Sequence, residues 1–264
     1  MANKKHISKR AIILVMIDLS AVAVIVSYFF FGSKIRQVDP RVVQAREMYA
    51  EYNRIAGQNN YIRAFRLLDS IDDSYSSIDH YKTSFERGVL MNNRAAALIT
   101  IAMIKDSTAE SVFPLEYRNL EKEKLIDEAG EIMTQSIKLY DEWYKVFDRM
   151  NGEEIYEAIS TDFLNGLNGY SQEEQDAFLT NRVDEIIAAV KEKDRRMSVS
   201  LTNLGMVYRH QEKYDDALKT YQQAVDLWDE NLTAKNNINV LLGRPLEKRS
   251  PLRKIFPKDK DGDL

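Results

Sequence analysis

The sequence predicts an all-α protein in which one apolar transmembrane helix precedes a solenoid of helix–turn–helix units. Glycine and proline are scarce, at 10 and 5 of 264 residues, while 44% of the residues are apolar and 30% are charged. This composition is typical of long helices with one apolar face and one charged face. A single apolar run near the N-terminus has the length of a membrane span. Beyond that run, apolar residues recur every three or four positions, which places them on one side of a helix.

Charge and motif content exclude several classes of function. The net charge of -4 lacks the basic excess of a nucleic-acid-binding domain, and the chain contains no cysteine for disulfides, thiol catalysis or metal ligation. No phosphate-binding loop, dinucleotide-binding, zinc-protease or serine-hydrolase motif occurs. Residues 259–263 begin like a calcium-binding loop but lack its glycine and its closing glutamate. We therefore predict no enzymatic activity, no cofactor, no metal, no nucleic acid and no small-molecule substrate. An enzyme or regulator hidden in residues 148–196 is the alternative.

Residues 11–31 form the apolar run, and they follow a basic N-terminal tail at 1–10. At about 1.5 Å per residue, roughly 20 helical residues cross a hydrocarbon core of about 30 Å. The run is longer than the apolar part of a typical cleaved signal, and no small-residue cleavage site follows it. We therefore predict an uncleaved signal anchor, with a cleaved signal peptide as the alternative. The basic cluster before the run favours a cytoplasmic N-terminus, which puts the rest of the chain in the periplasm of a bacterium, outside the inner membrane.

Asp18 lies inside this apolar run. An ionised carboxylate near the centre of a membrane costs on the order of 3 kcal/mol. One hypothesis is a contact between Asp18 and a polar or basic group of another transmembrane helix. The alternative is that the remaining apolar residues outweigh the cost and that Asp18 is protonated or reached by water.

Residues 198–231 contain the clearest repeat signal. Two apolar stripes with helical spacing follow one another, and small residues among them would let paired helices approach closely. The residues that define the pattern are Leu201, Leu204, Gly205, Tyr208, Ala217, Tyr221 and Ala224. The pattern resembles the tetratricopeptide repeat (TPR), W-x2-L-G-x2-Y followed by A-x3-F over 34 residues. This resemblance implies a TPR-like helix–turn–helix solenoid that buries its stripes by stacking. An isolated amphipathic hairpin is the alternative.

Weaker copies of the pattern extend the predicted repeat domain over residues 41–243, after a linker at 32–40. A first unit is indicated by Ala45, Met48, Tyr49 and Tyr52, followed by Tyr61, Ala64, Leu68 and Ile71. A further unit starts near residue 78, where the string at 91–98 resembles the first helix of many TPR units. Its partner is predicted at 123–147, with a stripe of Ala129, Met133, Ser136 and Tyr140.

The other segments are predicted from caps and breakers. The segment 106–122 contains a capping-box pattern, Ser107-x-x-Glu110, and Ser171-x-x-Glu174 indicates a later helix start. Residues 148–196 are expected to form helices stacked between repeats, with an apolar stripe at Val183, Ile187 and Val190. Residues 232–243 are expected to form a capping helix that ends at Gly243. The tail 244–264 is broken by prolines and is expected to be disordered.

The resemblance also implies where partners bind, because the first helix of each TPR unit lines a concave groove. Amide and guanidinium groups there could hydrogen-bond an extended peptide, although any one of them could instead be merely solvated. Alignment to the motif gives these groove positions: Arg46, Asn53, Arg54, Asn92, Asn93, Thr100, Thr202, Asn203, Arg209 and His210. Asn93 matches the asparagine of a known carboxylate clamp for chaperone tails. Val199 and Asn203 stand where that clamp has basic residues, so the clamp itself is not expected.

These features together predict a membrane-anchored scaffold or adaptor that binds proteins and helps to assemble or stabilise an envelope complex. In layout the chain resembles single-span TPR proteins of secretion, pilus or periplasmic flagellar machinery. The alternative is a chaperone-like holder of secretory clients associated with the translocon. The sequence alone leaves the partner and the oligomeric state open.

Overall fold

The computed structural model describes residues 38–248. The predicted anchor at 11–31, its Asp18, and the tail beyond residue 248 lie outside these described residues. Over 38–248, no helix is both long enough and apolar enough to cross a bilayer.

Ten α-helices, and no β-strand, make up the described part of the chain, which confirms the all-α, repeat-like prediction. They are α1 (Val43–Ile55), α2 (Tyr61–Ser76), α3 (Phe85–Ile104), α4 (Leu115–Arg118), α5 (Lys122–Phe147), α6 (Gly152–Leu164), α7 (Gln172–Lys191), α8 (Lys193–His210), α9 (Tyr214–Leu227) and α10 (Leu232–Leu241). Single turns of 3-10 helix lie at Asp79–Tyr81, Lys105–Ser107 and Glu110–Val112.

Three helix pairs form the stack: α1 with α2, α3 with α5, and α8 with α9. Helix α3 packs on α2, α8 packs on both α3 and α5, and α10 closes the stack on α9. The predicted stripes face the interior of the stack. On the first pair Ala45, Leu68 and Ile71 are buried, and on α5 all four predicted stripe residues are buried. Each helix thus buries its stripe against a neighbour, as expected of repeat units.

Two helix pairs approach closely where a glycine faces a tyrosine ring. A Cβ atom on Gly205 would lie 2.5 Å from Cε1 of Tyr221, and one on Gly88 would lie 2.6 Å from Cε1 of Tyr140. Separations this short are not available to a real Cβ atom, so both positions require glycine for the observed packing. The motif predicted the close approach at Gly205, whereas the one at Gly88 was not anticipated.

The segment between α3 and α5 differs from its prediction. The Ser107–Glu110 capping box does not form, because the Ser107 hydroxyl instead donates to the carbonyl oxygen of Ile104, at 3.0 Å. The segment is held by its aromatic residues: Phe113 and Tyr117 are buried against α2. It forms an ordered elbow that lets two long helices pair directly.

Helices α6 and α7 also depart from expectation. They were expected to stack between repeats, but α8 packs directly on α3 and α5, and the α6–α7 hairpin lies beside the stack. It packs on the turn Asp79–Tyr81 and shares one apolar core with α1, α2, the start of α3 and the end of α5. The predicted helix start at Ser171 is confirmed as a reciprocal capping box with Glu174, and Asn151 and Glu154 form a second one at the start of α6.

The beginning of the predicted tail lies along α10. The backbone N–H of Glu247 donates to Oδ1 of Asn236 at 2.7 Å, and Nδ2 of Asn236 donates to the carbonyl oxygen of Glu247 at 3.1 Å. The start of the tail is thus hydrogen-bonded to the capping helix through Glu247 rather than separate from it.

Candidate protein-binding groove

The first helices of the three stacked pairs, α1, α3 and α8, line a cavity of about 540 Å³. We call this cavity the groove. Its lining residues are Arg46, Tyr49, Ala50, Asn53, Tyr75, Phe85, Glu86, Val89, Leu90, Asn92, Tyr140, Arg195, Arg196, Val199 and Ser200. The lining includes aromatic, aliphatic, amide and guanidinium groups, which suits a surface that takes both apolar side chains and backbone polar groups.

Asparagine side chains on α3 hold the three groove helices together. Nδ2 of Asn93 donates to the hydroxyl of Tyr49 on α1, at 3.2 Å. Oδ1 of Asn92 accepts from the Ser200 hydroxyl at 3.1 Å and from Nδ2 of Asn203 at 3.2 Å, both on α8. These contacts span 44 to 111 residues of sequence and fix the spacing of the groove walls.

Five of the predicted groove positions lie at the groove, in two sets. Arg46, Asn53 and Asn92 line the groove. Asn93 and Asn203 lie between the groove helices and are used in the contacts just described, so they shape the groove more than they face it.

The other predicted positions point elsewhere. Arg54 does not line the groove and is ion-paired with Glu51 at 2.8 Å, and Thr100 is exposed and bonded to the carbonyl oxygen of Ala96. Thr202 is only 3% exposed, and its hydroxyl accepts a hydrogen bond from Nδ2 of Asn231, the residue that caps α10. Arg209 and His210 lie at the last turn of α8, away from the groove lining. Motif alignment places each of these residues on the correct helix. It does not show whether the side chain faces the groove, because that depends on contacts with residues elsewhere in the chain.

The arginines of the groove differ in how their charge is balanced. Arg46 forms two 2.7 Å contacts with the carboxylate of Glu185 on α7. Burial alone would lower the pKa of Arg46, but the hydrogen bond and charge of Glu185 outweigh it and raise the pKa. Arg195 is paired with Glu192. Arg196 forms no ion pair within the described residues; its guanidinium carbon lies 5.1 Å from the centre of the Phe85 ring.

A buried ionic network lies under one end of the groove, and sequence reasoning missed it. Arg182 of α7 is 1% exposed and donates to both carboxylate oxygens of Glu86 on α3, and to Glu185 at 3.2 Å. Its guanidinium carbon also lies 4.5 Å from the centre of the Tyr81 ring. Burial opposes the charge on Glu86, but the Arg182 charge and hydrogen bonds outweigh it and lower the pKa of that carboxyl.

The same network fixes the state of His80. Nε of Arg182 lies 3.1 Å from Nε2 of His80, and because Nε of arginine can only donate, Nε2 must accept. The proton of neutral His80 is then on Nδ1, which lies 3.2 Å from a carboxylate oxygen of Asp162 on α6. Burial, together with the charges of Arg182 and Arg41, lowers the pKa of His80 to about 2. The imidazole is therefore neutral in the folded chain.

One feature of the sequence could have indicated the network. Arg182 falls between Leu179 and Val183 on the stripe that α7 turns toward the core, and a charged residue in such a position needs a buried partner. The partners themselves, Glu86 and His80, lie about a hundred residues away, and nothing local marks them.

A second cavity, of about 550 Å³, lies between α5, α6 and α7. Trp143, Val146 and Ile159 give it an apolar wall, and His80, Asp162 and Arg182 form its polar end. The polar groups at that end bond to one another, and no cluster of metal-ligating side chains occurs in the described part of the chain.

Comparison with known proteins agrees with the repeat at the C-terminal end. The family model described as tetratricopeptide repeat matches residues 198–231, which contain α8 from residue 198 onward, all of α9 and the turn after each helix. Neither the curated proteins nor the solved structures yield a match to the chain. The family match and the stacked helix pairs together support a tetratricopeptide repeat protein, a class whose repeats generally mediate binding between proteins.

Proposed function

We propose that the chain is a non-catalytic scaffold that binds an extended segment of a partner protein in the groove. The observation that carries the proposal is that α1, α3 and α8, far apart in sequence, converge on one cavity of about 540 Å³. A cavity of this size between parallel helices accommodates several side chains of an extended chain. The tetratricopeptide match to α8 supports a protein as the ligand.

The groove lining matches the needs of an extended segment. An extended peptide exposes its backbone N–H and carbonyl groups along its length and points alternate side chains to opposite sides. The exposed Asn53 amide on α1 faces the cavity and is able to bond such a backbone. Val89 and Val199 offer apolar contact on the facing helices.

The proposal includes a tether to the membrane through residues 11–31, with the groove on the outer side, serving an envelope complex. Its support is the apolar run and the basic residues that precede it in the sequence. A tether of this kind would raise the effective concentration of the groove toward membrane partners without any additional contact.

The experiment that tests the groove is crosslinking in membranes of the organism that makes the chain, followed by purification through a C-terminal tag. Ala50 is exposed and lines the groove, so Ala50→Trp would fill the cavity without disturbing the core. Ala188→Trp places the same side chain at an exposed position of α7 that does not line the groove. We expect a few envelope proteins to dominate the wild-type sample, to be lost in Ala50→Trp and to be kept in Ala188→Trp.

Two results would count against this proposal. Capture that is unchanged in Ala50→Trp would show that partners bind outside the groove. Capture of many unrelated secreted proteins at low yield would favour the alternative function, a holder of unfolded clients.

A further inference from the structure

Arg196 is the groove arginine whose charge the described residues leave unbalanced. It lies on α8 and lines the cavity, with its guanidinium carbon 5.1 Å from the centre of the Phe85 ring. Its Nε is buried and has no hydrogen-bond acceptor. The guanidinium is hydrogen-bonded to the Tyr140 hydroxyl, which carries no charge, because burial holds the pKa of that phenol far above its usual range.

The other two arginines of the groove differ from Arg196 in that a carboxylate balances their charge. Arg46 and Arg195 each contact a carboxylate, from Glu185 and Glu192 respectively. Among residues 38–248, Glu86 is the one carboxylate that lines the groove, and it is already bonded through both oxygens to Arg182. The groove therefore contains a net positive charge, and this charge is centred on Arg196.

A partly buried guanidinium without an anion is an unfavourable arrangement that a ligand can relieve. Its apolar surroundings weaken the screening by water, so an added carboxylate would interact more strongly here than at an exposed arginine. Contact with an aromatic face holds the planar guanidinium in place, which reduces the entropy lost when an anion binds. Because Nε is buried, the anion would meet the outer nitrogens of the guanidinium.

We infer that Arg196 receives the side-chain carboxylate of an aspartate or glutamate in the extended segment that the groove binds. The inference rests on the proposed function and specifies its ligand. We assign a side chain rather than a chain terminus because Nδ2 of Asn93, which could donate to a terminal carboxylate, already donates to the Tyr49 hydroxyl. Asn53 is left to bond the backbone of a segment that continues past its acidic residue.

The test uses the full chain in detergent and a library of peptides that are acetylated at the N-terminus and amidated at the C-terminus. In such peptides only side chains supply carboxylates. We expect the selected peptides to share an aspartate or glutamate at one position. Replacing this residue by asparagine or glutamine should weaken binding by about 10-fold or more, as for loss of a charge-assisted hydrogen bond. Arg196→Gln should weaken binding of the acidic peptide by a similar factor.

The decisive measurement is the double-mutant cycle between Arg196→Gln and the neutral peptide. If the two groups interact, the neutral peptide should bind wild type and Arg196→Gln equally well. Arg149→Gln is the matched control, since Arg149 is exposed and does not line the groove, and it should leave both affinities unchanged. Circular dichroism of Arg196→Gln, and retention of binding by Arg196→Lys, distinguish loss of the charge from loss of the fold.

Each alternative result has a distinct meaning. Additive effects in the cycle, or selected peptides without a shared acidic residue, would overturn the role of Arg196 while groove binding stands, provided that Ala50→Trp still abolishes binding. Binding that appears only with a free C-terminal carboxylate would overturn the assignment to a side chain. Peptide binding that survives Ala50→Trp would instead refute the proposed function.

Discussion

The α8–α9 pair and the α6–α7 hairpin follow one another along the chain, yet different interactions hold them in place. In the α8–α9 pair, Gly205 lets the Tyr221 ring lie directly against the helix backbone. Asn231 then ties α10 to α8 through contacts of 2.8 Å to the hydroxyls of Ser198 and Thr202. The α6–α7 hairpin packs its apolar face into a core shared with α1, α2, α3 and α5, and the Arg182 contacts to Glu86 and His80 add a buried polar link to it.

This difference explains why one region matches a family model and the other does not. Gly205 and the Tyr221 ring that packs on it belong to the same 34-residue unit, so their spacing in the sequence recurs from one repeat protein to another. The Arg182 contacts join residues 96 and 102 positions apart, and they serve a hairpin that lies beside the repeat stack. Removing each type of interaction separately would show how much each one contributes.

The largest effect is expected from Arg182→Met. This change would leave the Glu86 carboxylate, which is 9% exposed, without its principal partner. Loss of one member of a buried ion pair costs about 3–5 kcal/mol, because the other charge stays buried and uncompensated. Urea unfolding of the full chain, followed by far-UV circular dichroism, measures this loss of unfolding free energy.

Two further variants separate the charge effect from the change in size. Arg182→Met combined with Glu86→Met replaces the whole pair by apolar side chains, and it should recover much of the stability that the single change removes. Arg149→Met makes the same substitution at an exposed arginine and should change the stability little. Equal stabilities of Arg182→Met and Arg149→Met would contradict the structural importance of the network.

A smaller loss is expected from Gly205→Ala in the repeat pair. Alanine raises helix propensity by up to about 1 kcal/mol relative to glycine, but the added Cβ would lie 2.5 Å from the Tyr221 ring. Overpacking of this kind costs about 1–3 kcal/mol, so we expect a net loss of stability at Gly205. The equivalent change at Gly88, against Tyr140, should behave in the same way, and thermal unfolding measures both.

Gly169→Ala is a control for adding a methyl group where there is space for it, at a glycine in the turn between α6 and α7. Nothing lies within 4 Å of a Cβ atom built on Gly169. Suppose that Gly205→Ala and Gly169→Ala were both as stable as wild type. The Tyr221 ring would then be able to move away from the added methyl group at little cost, and the repeat would not require the close approach.

The sequence was sufficient to predict the helix pairs, because helical periodicity and the repeat motif act within a few turns. It predicted the buried stripe of α5 and the cap at Ser171 for the same reason. It did not predict that α6 and α7 lie beside the stack, since this placement depends on pairs such as Arg182 with Glu86. For the groove, the sequence predicted the helices that line it but not which side chains face it. Arg46, Asn53 and Asn92 do line the groove, whereas Thr202 is buried against Asn231.

A further expected effect is a pH dependence caused by His80. Its pKa is lowered to about 2 in the folded chain, from an ordinary value of 6.5. Below pH 6.5 the unfolded chain therefore binds a proton that the folded chain does not, and stability falls as the pH falls. The slope is about 1.4 kcal/mol per pH unit, so roughly 2 kcal/mol should be lost between pH 6.5 and pH 5. Urea unfolding at a series of pH values measures this slope.

His80→Gln should remove most of the slope in this range, and the comparison is between slopes because the substitution also changes the stability itself. His210 is the appropriate comparison: the pKa of its imidazole is also lowered by burial, but it lies at the more accessible end of α8 and lacks the contact with Arg182. Asp162 near Nδ1 of His80 would favour a charged imidazole, whereas burial and the charges of Arg182 and Arg41 disfavour it. If His80→Gln left the slope unchanged, His80 would be protonated in the folded chain over this pH range. The carboxylate of Asp162 would then dominate, and Arg182 could not donate to Nε2.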